Sequence, residues 1–247
     1  MSAKTKRQPK PAQQELFKQR GGKRPGAGRP RKQGRASEPH QKRERLAARY
    51  PVHVNVRVDK AVGQLRRRRA YQAFRRALRT SLGRSDFAVV QASIQREHIH
   101  LIVEAHDEAA LARGMQGLQI GAARYLNGAV SIERGTPRRG RVFVDRYRAR
   151  ILKTPREVRN ALAYVLNNWR HHREDQGMES MFWEIDPFST ARSFAGWHDL
   201  ADPDTPRDGL EGLERLPCAP SQSWLMNVGW QRHGLIRVGA IPGPVVK

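Results

Sequence analysis

The sequence predicts an α+β fold built from one antiparallel sheet with helices packed against it. The segment 51–58 alternates strictly between valine and other residues, which is typical of a strand buried on one face only. Two longer segments, 63–82 and 108–128, repeat apolar residues at the spacing of an amphipathic helix. The third observation is the order of the segments along the chain, in which a hairpin of two strands stands between the two helices.

The first strand and the first helix carry clear patterns. The strand is predicted over residues 51–58, and its apolar face consists of Val52, Val54, Val56 and Val58. The apolar stripe of the helix consists of Leu65, Tyr71, Phe74 and Leu78. The other helical face is rich in arginine and is either solvated or arranged along a phosphate backbone. Arg66 and Arg75 on this face are therefore candidate DNA contacts.

The middle of the chain predicts a β-hairpin, a helix and a further strand. Residues 87–95 and 98–104 form two predicted strands around a tight connection, and the helix 108–128 follows. A loop at 131–140 contains Arg138 and Arg139, which are further candidate DNA contacts, and a strand is predicted over 142–153. The order is therefore βαββαβ, the ferredoxin-like arrangement in which both helices cover one face of the sheet.

A last helix is predicted to begin at Thr154 and to run to about residue 172. Thr154 suits the N-cap, Pro155 suits the first helical position, and Glu157 completes a capping box. Because the two earlier helices occupy one face of the sheet, this terminal helix is expected to dock on the other face.

Two histidines stand two residues apart in the strand 98–104. His98 and His100 point to one face of the sheet, because side chains alternate along a strand. Imidazole is the commonest metal ligand in proteins, so the pair is a candidate metal site; the alternative is an edge strand with a wet polar face. Glu104 shares this face and can orient a histidine, and His53 on the first strand can support the site or be solvated.

The terminal helix adds two residues that complement the histidine pair. Tyr164 and Asn168 are four residues apart and therefore lie on one helical face. A tyrosine hydroxyl can act as a covalent nucleophile, and an amide oxygen suits Mg²⁺ or Mn²⁺. The alternatives are a core tyrosine with a solvated hydroxyl, Tyr147 as the nucleophile, and Asn167 as the ligand.

The composition indicates a partner for this strongly basic chain. Its 247 residues include 47 Lys and Arg against 23 Asp and Glu, a net charge of +24, which predicts nucleic acid as a partner. No apolar run has the length of a membrane span, and the first residues lack the apolar core of a signal peptide. The single cysteine, Cys218, excludes an internal disulfide. We therefore expect a cytoplasmic, nucleoid-associated protein without a membrane partner.

Three regions are predicted from the distribution of charge and apolar residues. Residues 1–48 form a basic tail that is expected to be disordered. Its Gly28-Arg29-Pro30 core resembles an AT-hook, so Arg29 and Arg31 are candidate minor-groove contacts; the alternative is a basic tail that binds phosphates without specificity. Residues 49–173 form the main domain. Residues 174–247 are first acidic and then contain tryptophan, and we expect an accessory, partly irregular region whose acidic part covers the basic DNA groove.

Three sequence blocks in order resemble the single-tyrosine HUH transposases, and most closely the REP-associated tyrosine transposases. The blocks are HIHLIVE at 98–104, GRVFVDRY at 140–147 and AYVLNN at 163–168. The resemblance covers residues 50–172 and identifies 49–173 as an HUH transposase-like catalytic domain.

This resemblance implies an enzyme that cleaves and rejoins single-stranded DNA at hairpin, palindromic sequences. Tyr164 would form a 5′-phosphotyrosyl intermediate, while His98, His100 and Asn168 would hold Mg²⁺ or Mn²⁺. Relatives act as monomers or as homodimers, and both remain open here. The alternative is a non-catalytic regulator that binds hairpin DNA with the same fold. A histidine-motif nucleotide hydrolase is disfavoured, because Ile102 stands where its third histidine would be.

Overall fold

The computed structural model describes residues 43–173, 183–200 and 213–240. Four antiparallel strands form one sheet: β1 is Val52–Arg57, β2 is Phe87–Ile94, β3 is His98–Ala105 and β4 is Arg148–Ile151. Their order across the sheet is β2-β3-β1-β4. Strand β1 pairs with β3 on one side and β4 on the other, which confirms the predicted βαββαβ arrangement.

Helices α1 (Arg68–Ser81) and α2 (Glu108–Arg134) cover one face of this sheet. The alternating valines of β1 and the odd-numbered residues 99–103 of β3 lie in the core beneath them. The close packing depends on Gly114 of α2, because a Cβ atom there would overlap the ring of Phe87. A larger residue at that position would have to displace an aromatic ring from a dense core.

Three elements have bounds that differ from the sequence prediction by more than one residue. Helix α1 begins at Arg68 rather than residue 63, because Gly63 ends a short 3-10 turn with φ of +88°. Helix α2 runs six residues further than predicted, to Arg134, and ends at Gly135 in the left-handed region. The predicted strand 142–153 is reduced to Arg148–Ile151, and its start is only a single bridge between Val58 and Phe143.

Helix α3 (Pro155–His171) lies on the opposite face of the sheet, as the sequence predicts. Its capping box is formed, with the Thr154 hydroxyl accepting from the Glu157 backbone and the Glu157 side chain accepting in return. The apolar side of α3 packs in a second core that includes Val90 and Ile102 of the sheet.

The C-terminal region completes this second core and covers the outer side of α3. It contains a short helix α4 (Trp224–Asn227) and 3-10 turns at Thr190–Ser193 and Gly229–His233. Its residues in this second core are Ile185, Ala191, Phe194, Trp197, Leu225, Met226, Trp230, Ile236 and Val238. The region also pairs with the edge strand β2, where the Ile94 N–H donates to the Phe188 carbonyl at 2.9 Å. Such pairing protects an otherwise open sheet edge.

Among the described residues, none of the helices combines the length and the apolar composition of a membrane span.

Candidate functional site

The two histidines of β3 face helix α3 from the sheet. Their ring centroids are 4.8 Å apart, and His100 is almost fully buried while His98 is half-buried. Strand alternation places them on this face, because Ile99 between them enters the core on the other side.

Helix α3 brings Tyr164 to the same place. The centroid of its ring is 5.1 Å from that of His100, in an edge-on arrangement. Tyr164 is half-buried, and one helical turn further Asn168 is completely buried. The fold thus places a phenol beside an imidazole pair that is more than sixty residues away in sequence.

Some of the buried polar atoms that lack a hydrogen-bond partner belong to the histidine strand and to helix α3. They include Nε2 of His100 and both side-chain atoms of Asn168. A buried polar group without a partner costs on the order of 1–3 kcal/mol, so such groups need an explanation. In the described part of the chain no three His, Cys, Asp or Glu side chains are arranged to hold a metal ion. The Asn168 side chain carries a buried amide oxygen without a partner, which is a donor that suits Mg²⁺ or Mn²⁺.

The side-chain amide of the neighbouring residue, Asn167, forms a hydrogen bond. Asn167 donates from Nδ2 to the backbone carbonyl of Arg237 at 3.1 Å, so its side chain holds the C-terminal region to α3. Its Oδ1 atom has no partner. One polar atom of the Asn167 side chain is thus engaged, whereas both polar atoms of the Asn168 side chain lack a partner.

Burial keeps the histidines of the site neutral. Desolvation lowers the pKa of His53 and of His98 to about 4, helped by Arg150 near His53 and by His172 and then Arg57 near His98. Burial also lowers the pKa of His100 well below its ordinary value. Neutral imidazole is the form that binds a metal ion. Burial raises the pKa of Tyr164, so its hydroxyl is protonated in the metal-free protein.

Two further histidines belong to the cluster through spatial contacts that sequence spacing does not reveal. The His53 ring stacks on His100, with centroids 5.3 Å apart. The His172 ring lies edge-on to His98 at 5.0 Å, at the C-terminal end of α3. The sequence places His53 on the polar face of β1, the face that also carries the histidine pair. Only the register of β1 against β3 shows that its ring lies beside that of His100.

Glu104 does not orient a histidine, which corrects the expectation from its strand position. Its carboxylate accepts from the backbone N–H groups of Gln222 and Ser223 at 2.7 and 3.0 Å. Glu104 therefore anchors the start of α4 to the sheet. Tyr147, the other candidate nucleophile, packs in the core on the opposite face of the sheet, so it does not reach the histidines.

The candidate DNA-contacting arginines have different surroundings. Arg66 is corrected to a structural residue, because its side chain is 4% exposed and pairs with buried Asp186 at 2.9 Å. Arg75 pairs with Glu214 and donates to the Arg215 carbonyl at 2.9 Å, so the C-terminal region covers part of it.

Of the candidate arginines in the loop after α2, one is held in hydrogen bonds and the other is exposed. Arg138 braces the loop after α2 by donating to Asn127 and to the Arg141 carbonyl, whereas Arg139 is exposed. Arg29 and Arg31 lie outside the described residues. Because the Arg139 side chain is exposed, a contact between Arg139 and DNA stays a prediction.

The chain is similar to known proteins over the residues that form this site. Residues 49–168 match the model of a family described as "Transposase IS200 like". Among solved structures, the chain is similar to a REP-associated tyrosine transposase bound to a REP hairpin, at 14% identity and a TM-score of 0.45. That similarity covers 62% of this chain and 82% of the other. No curated protein matches the chain significantly.

Proposed function

We propose that this chain, whose residues 49–168 match the model of the IS200-like transposase family, cleaves and rejoins single-stranded DNA with Tyr164 as the nucleophile. The observation that carries the proposal is the approach of Tyr164 to His100, at 5.1 Å between ring centroids. A nucleophile beside a cation site is the arrangement that phosphoryl transfer requires.

The cation site would consist of His98, His100 and Asn168. Their donor atoms fit a divalent ion, because the two imidazoles are neutral and the Asn168 oxygen is buried without a partner. Mixed nitrogen and oxygen ligands suit Mn²⁺, and Mg²⁺ is the alternative with its preference for oxygen. When bound, the ion supplies positive charge that polarises the scissile phosphate.

The chemistry of the protein itself lies in Tyr164. Its hydroxyl oxygen forms a bond to the phosphorus, the bond from phosphorus to the 3′ oxygen breaks, and the 3′ oxygen leaves. The phenol loses its proton and the departing 3′ oxygen gains one, so charge balances. The product is a 5′-phosphotyrosyl link, which a free 3′-OH can attack to rejoin a strand without any input of energy.

We expect the substrate to be a DNA hairpin with a single-stranded flank. The net charge of +24 supports a polyanionic partner, and the hairpin follows from the resemblance of the three sequence blocks. We expect the protein to act in the cytoplasm near the nucleoid, as a monomer or a homodimer.

The proposal is tested with labelled single-stranded hairpin DNA and either Mn²⁺ or Mg²⁺. The wild-type chain should form a covalent adduct that survives denaturing electrophoresis, and the adduct should disappear with EDTA and in Tyr164→Phe. An adduct that persists in Tyr164→Phe would refute Tyr164 as the nucleophile. Hairpin binding without any adduct would favour the alternative function, a non-catalytic regulator.

A further inference from the structure

His53 and His100 contact each other across two neighbouring strands. The Nε2 atom of His53 lies 3.1 Å from the Nδ1 atom of His100. At that distance the two ring nitrogens share one proton in a hydrogen bond. The direction of this bond decides what His100 can do with its other nitrogen.

The other nitrogen of His100 is the buried Nε2 atom without a hydrogen-bond partner. A neutral imidazole carries a proton on only one of its two nitrogens. If His100 donates from Nδ1 to His53, its Nε2 keeps a lone pair that can bind a cation. If His53 donates instead, Nε2 of His100 carries the proton and cannot bind one.

We propose that His53 is a positioning residue that accepts the Nδ1 proton of His100 and so fixes His100 in the tautomer whose Nε2 can bind the ion. This inference rests on the proposed function, since it requires His100 to be a ligand. A metal-binding histidine usually donates its second N–H to a carboxylate, a carbonyl or a water; here an imidazole takes that place.

The sheet itself holds the two rings together. Strands β1 and β3 are hydrogen-bonded neighbours, with Asn55 directly opposite His100 and His53 two residues before Asn55. The two ring planes are inclined to each other by 28°, with centroids 5.3 Å apart. Tyr164 closes the other side, with its ring centroid 5.7 Å from that of His53. His53 is therefore placed by rigid backbone pairing, which a positioning residue needs.

The tautomer is measured by nitrogen NMR on the metal-free, full-length protein labelled at histidine, with assignments from single substitutions. The wild-type chain and His53→Gln should both show His100 protonated on Nδ1, because the Gln side-chain oxygen can accept the same proton. His53→Ala should lose this preference. A wild-type His100 protonated on Nε2 would overturn the proposal.

The affinity for Mn²⁺, measured by calorimetry, is the second readout. His53→Ala should weaken binding 10- to 100-fold, and His53→Gln should restore it. The matched control is His171→Ala, which removes an exposed imidazole whose ring centroid is 6.5 Å from that of Tyr164 and should leave affinity unchanged. Unchanged binding in His53→Ala would overturn the inference. A wild-type chain that binds no Mn²⁺ would instead refute the cation site of the proposed function, and the tautomer measurement would still decide the role of His53.

Discussion

Arg66 and Asp186 form an ion pair inside the protein, with Nη2 and Oδ1 2.9 Å apart and side chains that are 4% and 0% exposed. The pair joins the segment before α1 to the C-terminal region. Arg66 also donates to the carbonyl of Ile94 at the end of β2. A residue that the composition suggests as a DNA contact is thus part of the support for the fold.

Breaking this pair should destabilise the protein strongly. Asp186→Ala leaves the Arg66 guanidinium buried without its counter-charge, and we expect a loss of about 3–5 kcal/mol in the free energy of unfolding, measured in urea. The control is Glu133→Ala, which breaks the exposed pair with Arg67 and should cost at most about 1 kcal/mol. Equal effects of the two substitutions would contradict the structural role of Arg66.

The two asparagines of α3 should separate stability from activity. Asn168→Leu replaces a buried amide whose atoms have no partner with an apolar group of similar size, so stability should stay the same or rise. DNA cleavage and Mn²⁺ affinity should be lost. Asn167→Leu removes the hydrogen bond to Arg237 and should cost about 1 kcal/mol while metal binding remains. The reverse result would make Asn167 the ligand.

The metal-free protein should lose stability as the pH falls from 6.5 to 4. His53 and His98 have a pKa of about 4 in the folded chain and 6.5 when unfolded, so the unfolded chain binds more protons in this window. The free energy of unfolding should fall by up to about 1.4 kcal/mol per pH unit for each histidine. The slope from these groups fades as the pH rises above 6.5, because the unfolded histidines then lose their protons as well. Urea unfolding with EDTA measures this, and a His98→Gln chain with an unreduced slope would contradict it.

Arg139 should contribute to DNA affinity without specificity. Its side chain is exposed on the loop after α2, so Arg139→Gln should weaken binding to all single-stranded sequences alike. The slope of log affinity against log salt should fall by about 0.7 for a single phosphate contact, in an anisotropy titration. Arg66→Gln is not a valid comparison, because it disrupts the fold. An unchanged salt slope would remove Arg139 from the interface.

The sequence patterns predict most of the sheet and the approach of α3 to the histidine pair. Alternation of apolar residues shows which face His98 and His100 occupy, and the capping box marks where α3 begins. These signals are local, so they can be read without knowledge of the fold.

Contacts between distant segments could not be predicted in this way. Nothing local distinguishes Arg66 from the neighbouring arginines, because its partner Asp186 lies 120 residues later. The same holds for Glu104, whose partners lie in the C-terminal region, and for the contact of His53 with His100, which depends on strand register. Contacts between residues that are far apart in the sequence are therefore the part of the site that only the three-dimensional structure reveals.

Mass spectrometry of the covalent complex identifies the residue that carries the DNA after cleavage, which we propose to be Tyr164. The covalent complex is digested with nuclease and then with trypsin, which releases residues 160–170, a peptide whose single tyrosine is Tyr164. We expect this peptide to carry a nucleotide joined through its 5′ phosphate. A nucleotide on the peptide that contains Tyr147, or on any other residue, would contradict it.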